Sequence, residues 1–335
     1  MHPKTLLYAL SLTAGLMVVS SGAQARDIKV GHFGAPGKAF DQGVQVFIDK
    51  LDELSNGEMT ATDYPGGQLG NESQEIASLR GGLQEVFITS STNMIRFSPK
   101  FQLIDLPFLF DNDAEADKVL LGPIGDDILG GLDGTGLHGL TFWDNGFRDL
   151  SNSQHPITQL SDFEGLDFRV IGEPIFVDTF KALGANPVPL PFPEIYSALE
   201  TGTVDGQDNP LLTVRDVNFF EVQDYLTDSK HAYSAMVVLV GQPFWNQLSD
   251  AQKAIVQQAA EEAGQAQRQI MRKAVSGAKA FLAGKGGMEV DSFDAAARKA
   301  IRKAVQPVID GVINDDNRDL YQQIQQTLSD MRQPS

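Results

Sequence analysis

Phe163-Glu164-Gly165-Leu166-Asp167-Phe168-Arg169-Val170 opens a segment that continues through Ala182-Leu183-Gly184-Ala185-Asn186-Pro187 and ends Val204-Asp205-Gly206-Gln207-Asp208-Asn209-Pro210. Leu166, Phe168 and Val170 alternate with Asp167, Arg169 and Ile171, the period of a strand with one apolar face. The spacing downstream predicts strand Asp167–Ile171, helix Pro174–Leu183, strand Pro187–Leu190, helix Pro193–Thr201 and strand Val204–Gln207, an α/β unit. Arg169 falls on the face opposite the apolar residues, near the strand end where open α/β sheets bind ligands. A permanent cation inside an apolar run requires an anion. Its planar fork fits a carboxylate with two parallel hydrogen bonds; a neighbouring Asp or Glu could satisfy it equally well.

Outward from this unit the pattern repeats. Asp27–Phe33 reads as a strand entering the loop Gly34-Ala35-Pro36-Gly37, followed by a helix through Val44, Phe47, Ile48, Leu51 and Leu54 that Gly57 stops. Met59–Tyr64 reads as a strand, and a helix through Ile76 and Leu79 precedes a short buried strand at Val86–Thr89. A polar helix follows near Asp113–Leu121, then strand His138–Trp143 and a turn at Asp144-Asn145-Gly146. The alternation predicts mostly parallel α/β domains. After strand Tyr233–Gly241, Ser249 and Gln252 form a capping box. Apolar and small residues then recur at steps of three and four from Ile255 to Phe281, predicting one helix over 249–283, roughly 50 Å long. A helix of that length can brace two domains. Two more helices are expected near Phe293–Ile313 and Arg318–Met331, with Pro307 kinking or interrupting the first.

Bulk properties narrow the classes. Lys4, the apolar run Leu6–Val19 and Ala23-Gln24-Ala25 predict a signal peptide over residues 1–25, so an exported, soluble protein is expected. The remaining length, about 310 residues, suggests two domains. Zero Cys excludes a disulfide framework, a thiolate metal site and a cysteine nucleophile. A formal net charge of -18 disfavours nucleic acid and anionic lipid as partners.

Arg148, just after Gly146-Phe147, and Asn209, held extended by Pro210, are further ligand candidates; each could equally be an ordinary loop or turn residue. Enzyme signals fail on inspection. Gly134-Thr135-Gly136-Leu137-His138-Gly139 precedes a strand instead of opening a helix. Asp205 and Asp208 are expected to point apart. His32, His138, His155 and His231 lack metal-ligand spacing, and no nucleophile elbow, zinc helix or phosphate loop occurs. No cofactor and no metal are expected.

Four ordered motifs carry a resemblance: Tyr64-Pro65-Gly66-Gly67-Gln68-Leu69-Gly70, Trp143-Asp144-Asn145-Gly146-Phe147-Arg148, Gly165–Val170, and Val204–Pro210. Together they resemble the periplasmic solute-binding subunits of tripartite ATP-independent periplasmic (TRAP) transporters, of the dicarboxylate-binding type. The resemblance implies a two-lobed α/β periplasmic solute-binding fold with chain crossovers and a bracing helix. The expected division is lobe I from 26–145 plus about 235–274, lobe II from 146–234 plus about 275–335, and helix 249–283 spanning both.

The resemblance also implies that Arg169 takes the ligand carboxylate, that Arg148 and Asn209 add contacts when the lobes close, and that Phe33, Asn71, Thr89 and Trp143 complete the site. Phe33 stands where the sialate-binding branch has Asn, and Asn71 and Thr89 stand near positions that are acidic there, which argues against sialate. The function implied is capture of a small organic acid, first a C4-dicarboxylate, for delivery to a membrane permease. A uronate or other sugar acid is the alternative, and an exported organic-acid lyase a third reading. The same receptor could instead present its ligand to a membrane kinase.

Overall fold

The computed structural model describes residues 26–333; the expected signal peptide lies outside them. The first half of the chain runs β1 (Arg26–His32), α1 (Ala39–Ser55), β2 (Met59–Tyr64), α2 (Glu72–Gly81), β3 (Val86–Ser90), α3 (Asp113–Leu120), α4 (Pro123–Gly130) and β4 (Leu137–Asn152). Then follow β5 (Asp167–Val170), α5 (Pro174–Leu183), β6 (Asn186–Pro189), α6 (Ile195–Glu200), β7 (Gly206–Pro210) and α7 (Leu211–Asp216). The last part is β8 (Tyr225–Gly241), α8 (Gln242–Trp245), α9 (Asp250–Ala283), β9 (Glu289–Ser292), α10 (Ala295–Val312) and α11 (Arg318–Arg332).

The strands follow the order β2-β1-β3-β8-β4-β7-β5-β6, with β9 also beside β8. The two long strands β4 and β8 pair antiparallel from Leu137↔Gly241 to Asn152↔Tyr225. β3 joins one end of this ribbon at Met236–Val240, while β7 joins the other at Arg148–Asn152. The ribbon thus carries β3, β1 and β2 at one end and β7, β5 and β6 at the other, making two α/β lobes linked by two chain crossovers. The sheet is mixed: β2-β1-β3 and β7-β5-β6 pair parallel, as expected of the α/β units, and the antiparallel pairs come from β4 and β8, which each run through both lobes in opposite directions, a feature that local alternation of strand and helix does not reveal.

Asp144-Asn145-Gly146 is not a turn. It lies inside β4, where the register shifts at Asp144/Gly146, one of three irregularities in this strand. Gly146 has φ 96, which lets the chain bulge and continue. Likewise α10 runs on through Pro307 to Val312, held by Ala297, Ile301 and Val305 in a core shared with α5.

Helix α9 begins at the capping box of Ser249 and Gln252. Its small residues Ala259, Ala260 and Ala263 pack under α1. Further along, Leu282 enters a second core with Ile195, Leu199 and Val214. Gln267 ties the helix to the sheet: its Nε2 donates to the carbonyl of Asp144 at 2.5 Å, and its Oε1 accepts from the Asp144 N–H at 3.0 Å. Gly43 on α1 leaves room for this side chain; a Cβ there would run into it. Helix α11 packs against α3 and α4.

Candidate functional site

A cavity of about 810 Å³, counting the space at its open mouth, lies between the ends of the strands from both lobes. The loop after β1 brings Phe33, β3 brings Thr89, the centre of β4 brings Arg148, β5 brings Arg169 and β7 brings Asn209. The alternation that buries Phe168 and Val170 in the core turns Arg169 to the opposite side, into the cavity.

Both arginines are 2% exposed, and their circumstances differ. Arg148 donates from Nε to Asp208 Oδ2 at 2.6 Å and from Nη2 to the Asp208 carbonyl, with its guanidinium 5.3 Å from the Phe176 ring. His231 Nε2 lies 3.3 Å from the same Oδ2, and Ser229 Oγ holds the other ring nitrogen at 2.8 Å. Burial alone would raise Asp208, but the charge of Arg148 and the hydrogen bonds from His231 and Arg148 outweigh it, and its carboxyl titrates at about 2.

Arg169 has no such partner. Its Nε and Nη2 donate to the Leu190 carbonyl at 2.9 and 2.6 Å. No carboxylate stands within ion-pair distance of it among the described residues; Arg148 holds the neighbouring Asp208. Burial, reinforced by Arg148, lowers Arg169 to about 10, so it remains a cation at neutral pH. The Leu190 carbonyl occupies one edge of the guanidinium and leaves the Nη1/Nη2 end, with two parallel N–H bonds. Of the two buried arginines only Arg148 is ion-paired, and Arg169 feels Asp208 and Glu72 only at a distance. Burial makes such a charge costly unless an anion joins it.

A relay of side chains orients Asn209. Gln223 Nε2 is spent on backbone carbonyls, so its Oε1 accepts from Ser151 Oγ at 3.1 Å. Ser151 accepts from Gln207 Nε2 at 2.8 Å, and Gln207 Oε1 accepts from Asn209 Nδ2 at 2.6 Å. The Asn209 amide oxygen is left free.

Two expected residues sit elsewhere. Asn71 caps α2: its side chain accepts from the Gln74 N–H in a capping box, which spends it on the helix end. Trp143 is buried between Phe40 and Phe47 and donates from Nε1 to the Ala260 carbonyl at 3.0 Å, so it anchors α9 instead of facing the cavity. Conversely, Glu72, Asn93, Asn145 and Asp216 line the cavity although the sequence gives no expectation for them. Asn145 lay inside the Trp143–Arg148 motif; Glu72 reads in sequence only as an acidic first-turn residue. As expected, Asp205 and Asp208 diverge, Asp205 accepting from the Asp167 N–H at 2.9 Å.

Beneath the Phe33 loop, His32, Asp41 and Asp63 bring a nitrogen and two carboxylate oxygens within 4.8 Å of one another. His32 Nδ1 accepts from the Gly34 N–H, which puts the proton on Nε2, 2.9 Å from Asp63. A metal ion would have to displace that proton. The trio instead fixes the loop that carries Phe33.

Residues 30–316 match the family model of bacterial extracellular solute-binding protein, family 7. The 2,3-diketo-L-gulonate-binding periplasmic protein of Escherichia coli is 37% identical over 81% of this chain and 83% of its own. The C4-dicarboxylate-binding periplasmic protein of Rhodobacter capsulatus is 31% identical over 90% of each. The sugar acid binding protein of Advenella mimigardefordensis, solved with galactonate, superposes with a TM-score of 0.88 at 36% identity, covering 92% of this chain and 99% of that one. The chain belongs to bacterial extracellular solute-binding protein family 7, the organic-acid receptors of TRAP transporters.

Proposed function

We propose that this protein works in the periplasm as the receptor of a TRAP transporter, seats the carboxylate of a small organic acid on the Nη1/Nη2 end of Arg169, and hands it to a membrane permease. Arg169 carries the reading: a buried guanidinium, held in place by a backbone carbonyl, with no carboxylate within ion-pair distance among the described residues. Arg148 and Asn209 flank the carboxylate, and Thr89 and Phe33 line the remaining wall. Both the C4-dicarboxylate and the sugar-acid readings fit this end of the cavity. In this reading lobe I comprises 26–145 with about 235–274 and lobe II 146–234 with about 275–335, except that α11, expected in lobe II, goes with lobe I because it packs against α3 and α4. Closure of the lobes is favoured by contacts a ligand makes better in the closed state.

Calorimetric titration with a panel of organic acids tests the proposal. It expects micromolar or tighter binding of at least one acid, abolished by Arg169→Ala. Wild-type affinity in that variant would overturn it. Conversion of the bound acid to product would favour the lyase reading.

A further inference from the structure

Once Arg169 has taken one carboxylate, the rest of the cavity decides what else the ligand must carry. The cavity wall includes two further carboxylates, Glu72 and Asp216. Glu72 Oε1 accepts from the Phe192 N–H at 2.9 Å, and Asp216 Oδ1 from Arg215 at 2.6 Å. The second oxygen of each has no donor among the described residues. Asn93, Asn145 and Asn209 contribute amides whose Nδ2 atoms already donate to Thr89, Ser234 and Gln207 at 2.9, 3.1 and 2.6 Å. Each of these amides keeps one N–H and a carbonyl oxygen without a donor. The remaining cation, Lys38, stands exposed at the rim, where solvent screening makes an ion pair worth little.

A second ligand carboxylate could use the amide N–H bonds and the hydroxyls of Thr213 and Ser234. It would face the amide oxygens and the carboxylate of Glu72, which has no ion-pair partner among the described residues, whereas Asp216 is paired with Arg215. A hydroxyl group donates and accepts at once, so a chain of hydroxyls satisfies amides and carboxylates together.

Building on the receptor function above, we propose that the site selects a polyhydroxy monocarboxylate over a dicarboxylate, and that Glu72 is a specificity-determining residue. Glu72→Gln is the discriminating variant, because its amide oxygen can still accept from Phe192 while the charge is gone.

The experiment titrates the purified protein and Glu72→Gln with D-galactonate, D-gluconate, succinate and L-malate. Expected is a preference of about 100-fold or more for an aldonate over succinate in the wild type, and a narrowing of about tenfold in Glu72→Gln, mainly by tighter succinate binding. Succinate or L-malate binding as tightly as the better aldonate, in an Arg169-dependent manner, would overturn the selectivity and leave the receptor function intact. An unchanged ratio in Glu72→Gln would remove Glu72 from the determinant. Failure of a folded protein to bind any acid would bring down the receptor function and this inference with it.

Discussion

The backbone N–H of Phe192 donates to Glu72 Oε1 across 2.9 Å, tying the loop ahead of α6 to the first turn of α2 at the edge of the cavity. The Phe33 and Phe192 rings meet beside it with centroids 5.7 Å apart. On the lobe division proposed above, both contacts join lobe I to lobe II, and opening of the lobes would break them. Glu72→Ala removes the acceptor and is expected to weaken ligand binding by about 1.5–3 kcal/mol, the usual worth of a hydrogen bond to a charged group. Small-angle scattering should then show the ligand-saturated variant more open than the wild type; an identical profile with unchanged affinity would sink the prediction.

Arg169→Ala should weaken binding by roughly 3–5 kcal/mol, because it leaves the ligand carboxylate buried without its cation. Arg169→Lys keeps the charge but not the fork, and should recover only part of the loss. Near-wild-type affinity in Arg169→Ala, measured by calorimetry, would remove Arg169 from the site.

Trp143→Phe should leave ligand affinity within about threefold of wild type and cost about 1 kcal/mol of stability, the hydrogen bond to the Ala260 carbonyl. Asn71→Ala should behave alike, losing about 0.5–2 kcal/mol with the cap of α2. A large fall in affinity without unfolding, in either variant, would restore that residue to the site.

Gln267→Leu should be more damaging, by about 2–4 kcal/mol in urea unfolding. It strips both partners from the buried Asp144 backbone and leaves its N–H and carbonyl unsatisfied. A variant as stable as wild type would show that α9 is held by its apolar face alone.

Stability should depend on pH through buried carboxyls. Burial pushes Asp105, Asp149 and Glu75 up to about 7, whereas unfolded Asp and Glu titrate near 3.8 and 4.5. Below about 4 both states hold these protons and the folded state keeps its full advantage. As the pH rises through 7 the unfolded chain has gained ionisation that burial denies the folded one, so stability falls. Asp208 acts oppositely: depressed to about 2, its contribution is present above 3.8 and is lost as the pH drops through 2. Thermal melts should therefore show a higher Tm at pH 5 than at pH 8, and Asp105→Asn should flatten the difference. A Tm that rises between those pH values would contradict this.

What the sequence reveals here is what is encoded locally. Helix α9 is legible from its spacing and its Ser249/Gln252 cap, and β5 from the alternation around Arg169, because each signal lies within a few residues. Helix α4, eight residues with Pro123, Gly125 and Gly130, has too weak a pattern to register. The bulge at Asp144–Gly146 carries turn-forming residues, and only its partners Ala235 and Ser234 on β8 keep it in the sheet. Arg169 stands out because a permanent charge interrupts an apolar run. Glu72, Asn93 and Asp216 do not, because polar residues at helix ends and turns are ordinary until the fold gathers them around one space.

Both buried arginines have one edge already occupied by the protein, Arg169 by the Leu190 carbonyl and Arg148 by Asp208. Little rotamer entropy is therefore surrendered when an acid arrives, since the forks are frozen in advance. Congeners that share a carboxylate should dock at nearly the same speed, and their differences should surface in residence time. A receptor built this way captures indiscriminately and discriminates by how long it holds on.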